Sequence, residues 1–133
     1  RMALPEPKVG LAALAAGVHR LPRQIGLKRA MGMMLTGRHV YAQEGYELGF
    51  VTAVTPEGEA VSEARRWAEM ILECSPMSIR ATKQAAMQGL DHAGVRAAHE
   101  GKYEAVRDMT KSEDYVEGPV AFAEKRPPQW KGR

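Results

Sequence analysis

Among the residues whose side chains could do chemistry, Glu6 stands in the most unusual surroundings. It lies between Pro5 and Pro7 and is the only acidic residue in positions 1–40, which hold seven basic residues. A proline fixes its own backbone angle φ and restricts the residue before it, so this segment should be stiff. A carboxyl group in a stiff, weakly polar and basic setting can act as a general acid or base. From the residues alone, a catalytic carboxylate and an ordinary loop carboxylate both remain open.

The other chemically active side chains do not form the pattern of a catalytic or metal site. His19, His39, His92 and His99 lack the spacing of metal ligands, and we expect them on the surface or in helix packing. Cys74 is the single cysteine, which excludes an internal disulfide and a zinc site built on paired cysteines. We expect it to be a small, buried apolar residue. The motifs of phosphate-binding loops, serine nucleophile elbows and zinc proteases are absent too. With this histidine spacing and a single cysteine, we expect no bound metal.

The composition is that of an ordinary folded protein. Hydrophobic residues make up 44% of the 133 residues and charged residues 26%, which argues against disorder. No apolar run approaches the ~20 residues that a membrane helix needs. The first thirty residues lack the plan of a signal peptide. We therefore expect a cytoplasmic protein without a membrane partner, in keeping with its single cysteine.

Charge is distributed unevenly along the chain. Residues 41–123 hold eight basic and fourteen acidic residues, whereas residues 124–133 hold four basic residues and one acidic residue. Both ends are therefore basic and the middle is acidic. Basic ends could meet nucleic acid, an anionic membrane or a phosphorylated small ligand. Interleaved aromatic residues and arginine-rich helices are not evident, so we expect no nucleic-acid partner.

The pattern of apolar residues predicts a mainly α-helical fold with one or two short strands. Phe50–Thr55 is the clearest strand candidate, because it is rich in β-branched residues and ends at Pro56. Ser75 and Ser112 precede apolar-periodic segments and are expected to cap helices. The predicted helices cover residues 18–35, 42–49, 60–74, 76–89, 95–110 and 112–125.

Several blocks of sequence follow one another in order over almost the whole chain. The blocks are Leu4–Leu11, Arg20–Gly26, Ala30–Arg38, Ala42–Gly45, Leu48–Val51, Ser75-Pro76, Lys83-Gln84 and Glu117–Arg126. Together they resemble the crotonase (enoyl-CoA hydratase/isomerase) superfamily, but only its C-terminal half. The resemblance implies the end of a spiral ββα core, which is α/β in the complete enzyme, in residues 1–59. It also implies a helical trimerisation region and basic tail in residues 60–133.

The resemblance implies an enzyme that acts on acyl thioesters of coenzyme A. Two backbone N–H groups hold the thioester oxygen in such enzymes, and a pair of glutamates handles water and the proton at C2. Glu6 matches the second glutamate. The first glutamate, the oxyanion-hole segments and most of the coenzyme A groove would precede Arg1, so we expect residues 1–133 to be inactive without that half. Coenzyme A is part of the substrate, and no separate cofactor is implied.

The substrate-binding residues implied by the resemblance are Leu14 and Gly17. Where the hydratases have a glycine-rich turn, residues 13–19 of this chain carry two side chains in place of glycines, which adds apolar bulk near the acyl pocket. Leu14 also occupies the place of an extra acidic residue in dienoyl-CoA isomerases, so that chemistry is disfavoured. Acyl-chain specificity is left open.

At the other end of the chain, the resemblance assigns Phe122 and Lys125 to the coenzyme A of a neighbouring subunit. Residues three apart on a helix share one face, and an aromatic ring and a lysine there would contact adenine and phosphate. An apolar anchor with a solvated lysine is the structural alternative. The implied assembly is a trimer or a dimer of trimers.

Three functions therefore remain open. The first is hydration of the C2–C3 double bond of an acyl-CoA, with Glu6 giving or taking the C2 proton. The second is enoyl-CoA isomerisation, in which one glutamate carries the proton between carbons. The third is a non-catalytic helical oligomerisation module, which would form a stable trimer without affinity for coenzyme A thioesters.

Overall fold

The computed structural model describes residues 1–133 and contains eight α-helices and one short 3-10 helix. The chain forms two compact units, Arg1–Val61 and Ser62–Arg133. The mainly helical fold class predicted from the sequence is confirmed. The elements are the 3-10 helix Glu6–Val9 and the helices α1 (Gly17–Ile25), α2 (Leu27–Thr36), α3 (Ala42–Leu48), α4 (Ala60–Leu72), α5 (Pro76–Gly89), α6 (Val95–His99), α7 (Glu104–Thr110) and α8 (Glu113–Glu124).

The first unit is built on the pair α1 and α2. The sequence predicted one helix over residues 18–35, but the chain breaks at Gly26, whose φ is 81°. That backbone angle is open to glycine and costly for other residues. The break lets the two helices pack on each other around a small apolar core. Its buried members are Ile25, Ala30, Met33 and Val40, with Leu21, Met34, Leu48 and Phe50 packed against them.

The predicted strand Phe50–Thr55 is wrong. The only β-pairing in the structure is an isolated antiparallel bridge between Met2 and Val40. The N–H groups of Phe50 and Val51 instead donate to the carbonyl of Gly45, each at 3.1 Å, at the end of α3. A segment rich in β-branched residues becomes a strand only when a neighbouring strand accepts its backbone hydrogen bonds. Here the end of α3 takes that place.

The second unit is helical throughout. The predicted helix 95–110 is divided into α6 and α7, because the chain turns at Gly101 and the hydroxyl of Tyr103 donates to the carbonyl of Ala98 at 2.6 Å. A Cβ at Gly101 would lie 2.7 Å from that hydroxyl oxygen. Glycine at this position therefore lets the two short helices meet.

Two sequence expectations for the second unit are corrected. Cys74 is exposed rather than buried. Helix α4 has the predicted amphipathic pattern, yet it buries no residue, and Trp67 and Ile71 of its apolar face are 38% and 50% exposed. Cys74 follows this helix by two residues, so both corrections concern one exposed part of the second unit. No helix of the structure has the length and apolar character needed to cross a bilayer.

Candidate active site

The backbone around Glu6 is held by local hydrogen bonds. Glu6 is the first residue of the 3-10 helix, and Pro7 follows in its first turn. The N–H of Lys8 donates to the Pro5 carbonyl at 2.9 Å, and the N–H of Leu11 donates to the Glu6 carbonyl at 3.0 Å. Proline at the start of a helical turn is favourable, since the missing N–H would have no partner there. The turn therefore presents the Glu6 side chain from a well-fixed backbone.

One oxygen of the Glu6 carboxyl group is a buried side-chain atom without a hydrogen-bond partner. Its Oε2 atom is shielded from solvent and has no hydrogen-bond partner. A buried carboxylate oxygen without a donor costs free energy, which structures tolerate mainly where a ligand or reacting group completes the contact. This oxygen is therefore available to accept or return a proton. A protein metal site needs several ligands, and the structure contains no group of three His, Cys, Asp or Glu residues that could hold a metal ion.

An apolar cavity lies beside this turn in the first unit. Its volume is about 230 Å³, and the polar residues in its wall are Arg20 and Gln24. Leu4, two residues before Glu6, lies in its wall, whereas Glu6 does not. The full lining is Met2, Ala3, Leu4, Gly17, Arg20, Leu21, Gln24, Met33 and Phe50.

Of the two predicted substrate-binding residues, the structure places one at this cavity. Gly17 lies in the wall, and a Cβ there would approach the Cβ of Ala13 at 2.9 Å and Leu4 Cδ2 at 3.3 Å. Glycine thus allows the close approach of α1 to residues 2–4. Leu14 does not line the cavity and is 76% exposed. The structure therefore does not bring Leu14 to the cavity in this chain.

The turn that precedes α1 carries a strained residue. Ala16 has a φ of 72° and a ψ of 0°, in the left-handed region. An L-residue with a Cβ pays roughly 1–2 kcal/mol there. Ala16 stands in the segment whose family counterpart is rich in glycine. Ala16 therefore takes a backbone conformation that glycine would adopt at lower cost.

The predicted coenzyme A contacts, Phe122 and Lys125, lie in the second unit. Helix α8 ends at Glu124, and Lys125 follows it with a left-handed φ of 55°. The expected shared helical face is therefore not formed, because Lys125 caps the helix rather than continuing it. Phe122 is 87% exposed, and Lys125 is exposed and forms no ion pair within 4.0 Å. Both side chains remain accessible.

The segment after α8 is bound closely to its own unit. Arg126 donates from both terminal nitrogens to the Glu117 carboxylate, at 2.6 and 3.0 Å, and the N–H of Gln129 donates to the same carboxylate at 2.7 Å. The Arg126 hydrogen bonds and then that of Gln129 lower the pKa of Glu117 to about 2. These contacts hold the chain directly after Lys125.

Asp114 is the second anchor of this segment and was not singled out as a site from the sequence. It is 3% exposed, and its carboxylate accepts from the Ser75 hydroxyl and from the N–H of Lys131, both at 2.7 Å. Burial alone would raise the pKa of Asp114, but its hydrogen bonds outweigh burial and lower it. Its position at the start of a helix was visible, whereas its distant donors were not.

The match with known proteins covers the whole chain. The family described as enoyl-CoA hydratase/isomerase matches residues 1–133. A carnitinyl-CoA dehydratase from Salmonella paratyphi A is 37% identical over 134 residues, which cover 98% of this chain and 51% of that protein. The chain thus spans about half the length of the curated relatives it matches.

Solved structures give the same result. The chain resembles an enoyl-CoA hydratase from Geobacillus kaustophilus HTA426 with a TM-score of 0.89 and 36% identity, over 98% of this chain and 49% of that one. An enoyl-CoA hydratase from Mycobacterium tuberculosis H37Rv gives a TM-score of 0.89 and 33% identity, over 98% and 52% of the two chains. From its first residue to its last, the chain belongs to the enoyl-CoA hydratase/isomerase family.

Proposed function

We propose that this chain is the C-terminal part of an enzyme that adds water across the C2–C3 double bond of an acyl-CoA thioester. The observation that supports this proposal most directly is the shielded, unbonded Oε2 atom of Glu6. An unpaired carboxylate on a rigid turn is suited to proton transfer, because no existing hydrogen bond has to break before the carboxylate can contact the substrate.

In the proposed reaction, Glu6 supplies the proton that C2 gains while the oxygen of water bonds to C3. In the reverse direction, Glu6 removes that proton and water leaves from C3. The negative charge that develops on the thioester oxygen must be held by preorganised hydrogen-bond donors. We propose that those donors, and the glutamate that activates water, belong to an N-terminal half that acts together with this chain.

Relatives support the class of substrate. The relatives described above are a carnitinyl-CoA dehydratase and enoyl-CoA hydratases. Dehydration of a hydroxyacyl thioester and hydration of an enoyl thioester are one reaction in opposite directions. We propose an acyl-CoA substrate, with coenzyme A as part of that substrate, and an acyl group placed near Gly17. Leu14 is exposed outside the cavity and is proposed to contact the acyl group only beyond the cavity wall.

An oligomer is part of the proposal, since the exposed Phe122 and Lys125 are proposed to contact coenzyme A bound to a neighbouring subunit. The unburied helix α4 supports association, because Trp67, Met70 and Ile71 are exposed together on it and contiguous exposed apolar residues mark interaction sites. A trimer or a dimer of trimers is the assembly that we propose.

Isomerisation is the second candidate, because the matching family includes both activities. The two reactions differ in their products. Hydration of a 2-enoyl-CoA gives a 3-hydroxyacyl-CoA, whereas isomerisation of a 3-enoyl-CoA gives a 2-enoyl-CoA without uptake of water. Product analysis of the protein that contains residues 1–133, with crotonyl-CoA and with a 3-enoyl-CoA, separates them.

The same assay should include residues 1–133 alone. We expect no turnover from this chain without the oxyanion donors, since a carboxylate by itself does not stabilise the thioester oxygen. Turnover of crotonyl-CoA by residues 1–133 alone would show that the active site is placed wrongly. A stable trimer that never binds a coenzyme A thioester would favour the oligomerisation module instead.

A further inference from the structure

The C-terminal end of α2 lies directly against the turn that carries Glu6. Gly37 caps this helix, is buried and has a φ of 57°. A Cβ at Gly37 would lie 3.2 Å from the Cα of Pro5 and 3.2 Å from the Cε of Lys8. The lysine chain can move away, but the Pro5 backbone cannot move without carrying Glu6 with it. The residue before Glu6 is therefore packed so closely against Gly37 that a Cβ there would require the Pro5 backbone to shift.

A second attachment lies on the same two segments. The N–H of Met2 donates to the Val40 carbonyl and the N–H of Val40 donates to the Met2 carbonyl, both at 2.8 Å. Val40 is fully buried in the core of the first unit. Residues 2 and 5 are thus fixed by residues 40 and 37, which come from one stretch of chain after α2. This pair of attachments holds the path of the backbone into Glu6.

Backbone placement matters more for Glu6 than for most carboxylates. Its Oε2 atom has no hydrogen-bond partner that could keep it in place if the turn shifted. Lys8 and Leu11 fix the shape of the turn, but their hydrogen bonds lie within it and move with it. The position of the turn relative to the core therefore depends on the contacts at Gly37 and Val40.

We propose that Gly37 is a positioning residue for the proton transfer by Glu6. This inference rests on the proposed function of Glu6. A side chain at Gly37 displaces the Pro5 backbone and moves the carboxyl group away from the carbon that exchanges the proton. A Cβ 3.2 Å from the Pro5 Cα requires a shift of a few tenths of an ångström. Since a displacement of about 1 Å at a reacting group can cost about 100-fold in rate, this smaller shift should cost about tenfold.

The test compares Gly37→Ala with Gly49→Ala in the protein that contains residues 1–133. Gly49 also caps a helix of the first unit with a left-handed φ, 93°, but a Cβ there meets nothing within 4 Å. Both variants therefore carry the same kind of backbone strain, and only one pushes on Pro5. We expect Gly37→Ala to lower kcat for crotonyl-CoA at least tenfold with KM within twofold, and Gly49→Ala to keep kcat within twofold.

Two further measurements keep the inference separate from the proposed function. Glu6→Gln should lose activity; if it does not, the proposed function fails, whatever Gly37→Ala does. The carboxyl ¹³C resonance of Glu6 should shift in Gly37→Ala and stay in place in Gly49→Ala, which requires no turnover. Equal kcat in both glycine variants, or an unmoved Glu6 resonance in Gly37→Ala, overturns the positioning role.

If Gly37→Ala does not fold, Met2→Pro replaces it. This change removes the N–H that donates to Val40 at an exposed residue and leaves the buried side chains untouched. A moved Glu6 resonance in Met2→Pro would support the inference that residues 37–40 place Glu6. An unmoved resonance would contradict it.

Discussion

The buried carboxylate of Asp114 and the backbone N–H of Gly132 are hydrogen-bonded, at 3.1 Å to Oδ1 and 3.3 Å to Oδ2. These two residues lie eighteen positions apart, at the start of α8 and one residue before the end of the chain. The side chain of Trp130 makes a further link, since its indole N–H donates to the Glu73 carbonyl at 2.8 Å. The basic end of the chain is therefore part of the folded second unit and not a loose tail.

The first prediction concerns Asp114. The carboxylate of Asp114 accepts hydrogen bonds from Ser75, Lys131 and Gly132. In Asp114→Asn, the NH₂ group of the new side chain is itself a donor and cannot accept from these three donors. We expect the free energy of unfolding to fall by about 2 kcal/mol, because buried donors lose a charged acceptor. Urea unfolding measures this change. Asp108→Asn is the matched control: its ion pair with Arg107 is exposed, so its loss should change the free energy of unfolding much less than Asp114→Asn does. Equal losses in both variants would contradict the anchoring role of Asp114.

The second prediction concerns pH. The pKa of Glu117 is about 2 in the folded chain, below its ordinary value of 4.5, so its contribution to stability is complete above about pH 4.5. The contribution is lost as the pH falls from about 4.5 toward 2. We expect Glu117→Gln to flatten the dependence of unfolding free energy on pH in this window. Glu124→Gln removes the other carboxylate partner of Arg126. In that variant the unfolding free energy should depend more steeply on pH than in Glu117→Gln. A slope in Glu117→Gln that equals the wild-type slope would contradict the assignment.

The third prediction uses the strained turn before α1. Ala16→Gly relieves the left-handed φ of 72° and should raise the free energy of unfolding by about 0.5–1 kcal/mol. Ala15 is exposed and its φ is not positive, so Ala15→Gly should lower stability by a similar amount. Thermal or urea unfolding should therefore show changes in the free energy of unfolding of opposite sign for Ala16→Gly and Ala15→Gly. Destabilisation by Ala16→Gly would show that its backbone is not strained.

Features that depend on neighbouring residues could be predicted from the sequence. Ser75 and Ser112 cap α5 and α8 as expected, since their hydroxyl oxygens accept from N–H groups three residues later. The predicted helix ends at residues 35 and 49 lie within two residues of the observed C-caps Gly37 and Gly49, where a left-handed backbone favours glycine. These signals lie within one helical turn, so the sequence contains both partners side by side.

Features that depend on distant partners could not be predicted in this way. Phe50–Thr55 has the composition of a strand, but strand formation requires a second strand, and the end of α3 accepts its first hydrogen bonds. Asp114 looked like a residue that favours a helix start, and its donors at Lys131 and Gly132 are seventeen and eighteen residues away. In the candidate site, the role of Glu6 came from family resemblance, whereas the packing of Pro5 on Gly37 required coordinates.

The fourth prediction concerns the proposed contact with coenzyme A. Lys125 is exposed and unpaired, so Lys125→Ala should not disturb the fold. A lysine that pairs with the adenosine phosphate contributes to binding and not to the chemical step. We expect KM for crotonyl-CoA to rise about tenfold with kcat nearly unchanged. KM for crotonyl-pantetheine, which lacks the phosphate, should stay within twofold.

Lys111→Ala is the matched control for that measurement, because Lys111 is another exposed lysine of the second unit, directly before the Ser112 cap. It should leave both KM values unchanged. A rise in KM for both thioesters in Lys125→Ala, or an equal rise in Lys111→Ala, would show that the effect is not phosphate recognition at Lys125.

The fifth prediction tests the central claim, that Glu6 transfers the proton at C2. Glu6→Gln keeps the size of the side chain and removes its ability to give or take that proton. In the protein that contains residues 1–133, kcat for hydration of crotonyl-CoA should fall by about 10²–10⁴, the usual contribution of a general acid or base. Glu57→Gln, at an exposed glutamate of the same unit, should leave kcat unchanged. The decisive measurement is kcat of Glu6→Gln at an unchanged KM and melting temperature: a loss of at least 100-fold supports the account, and a kcat within twofold of the wild type contradicts it.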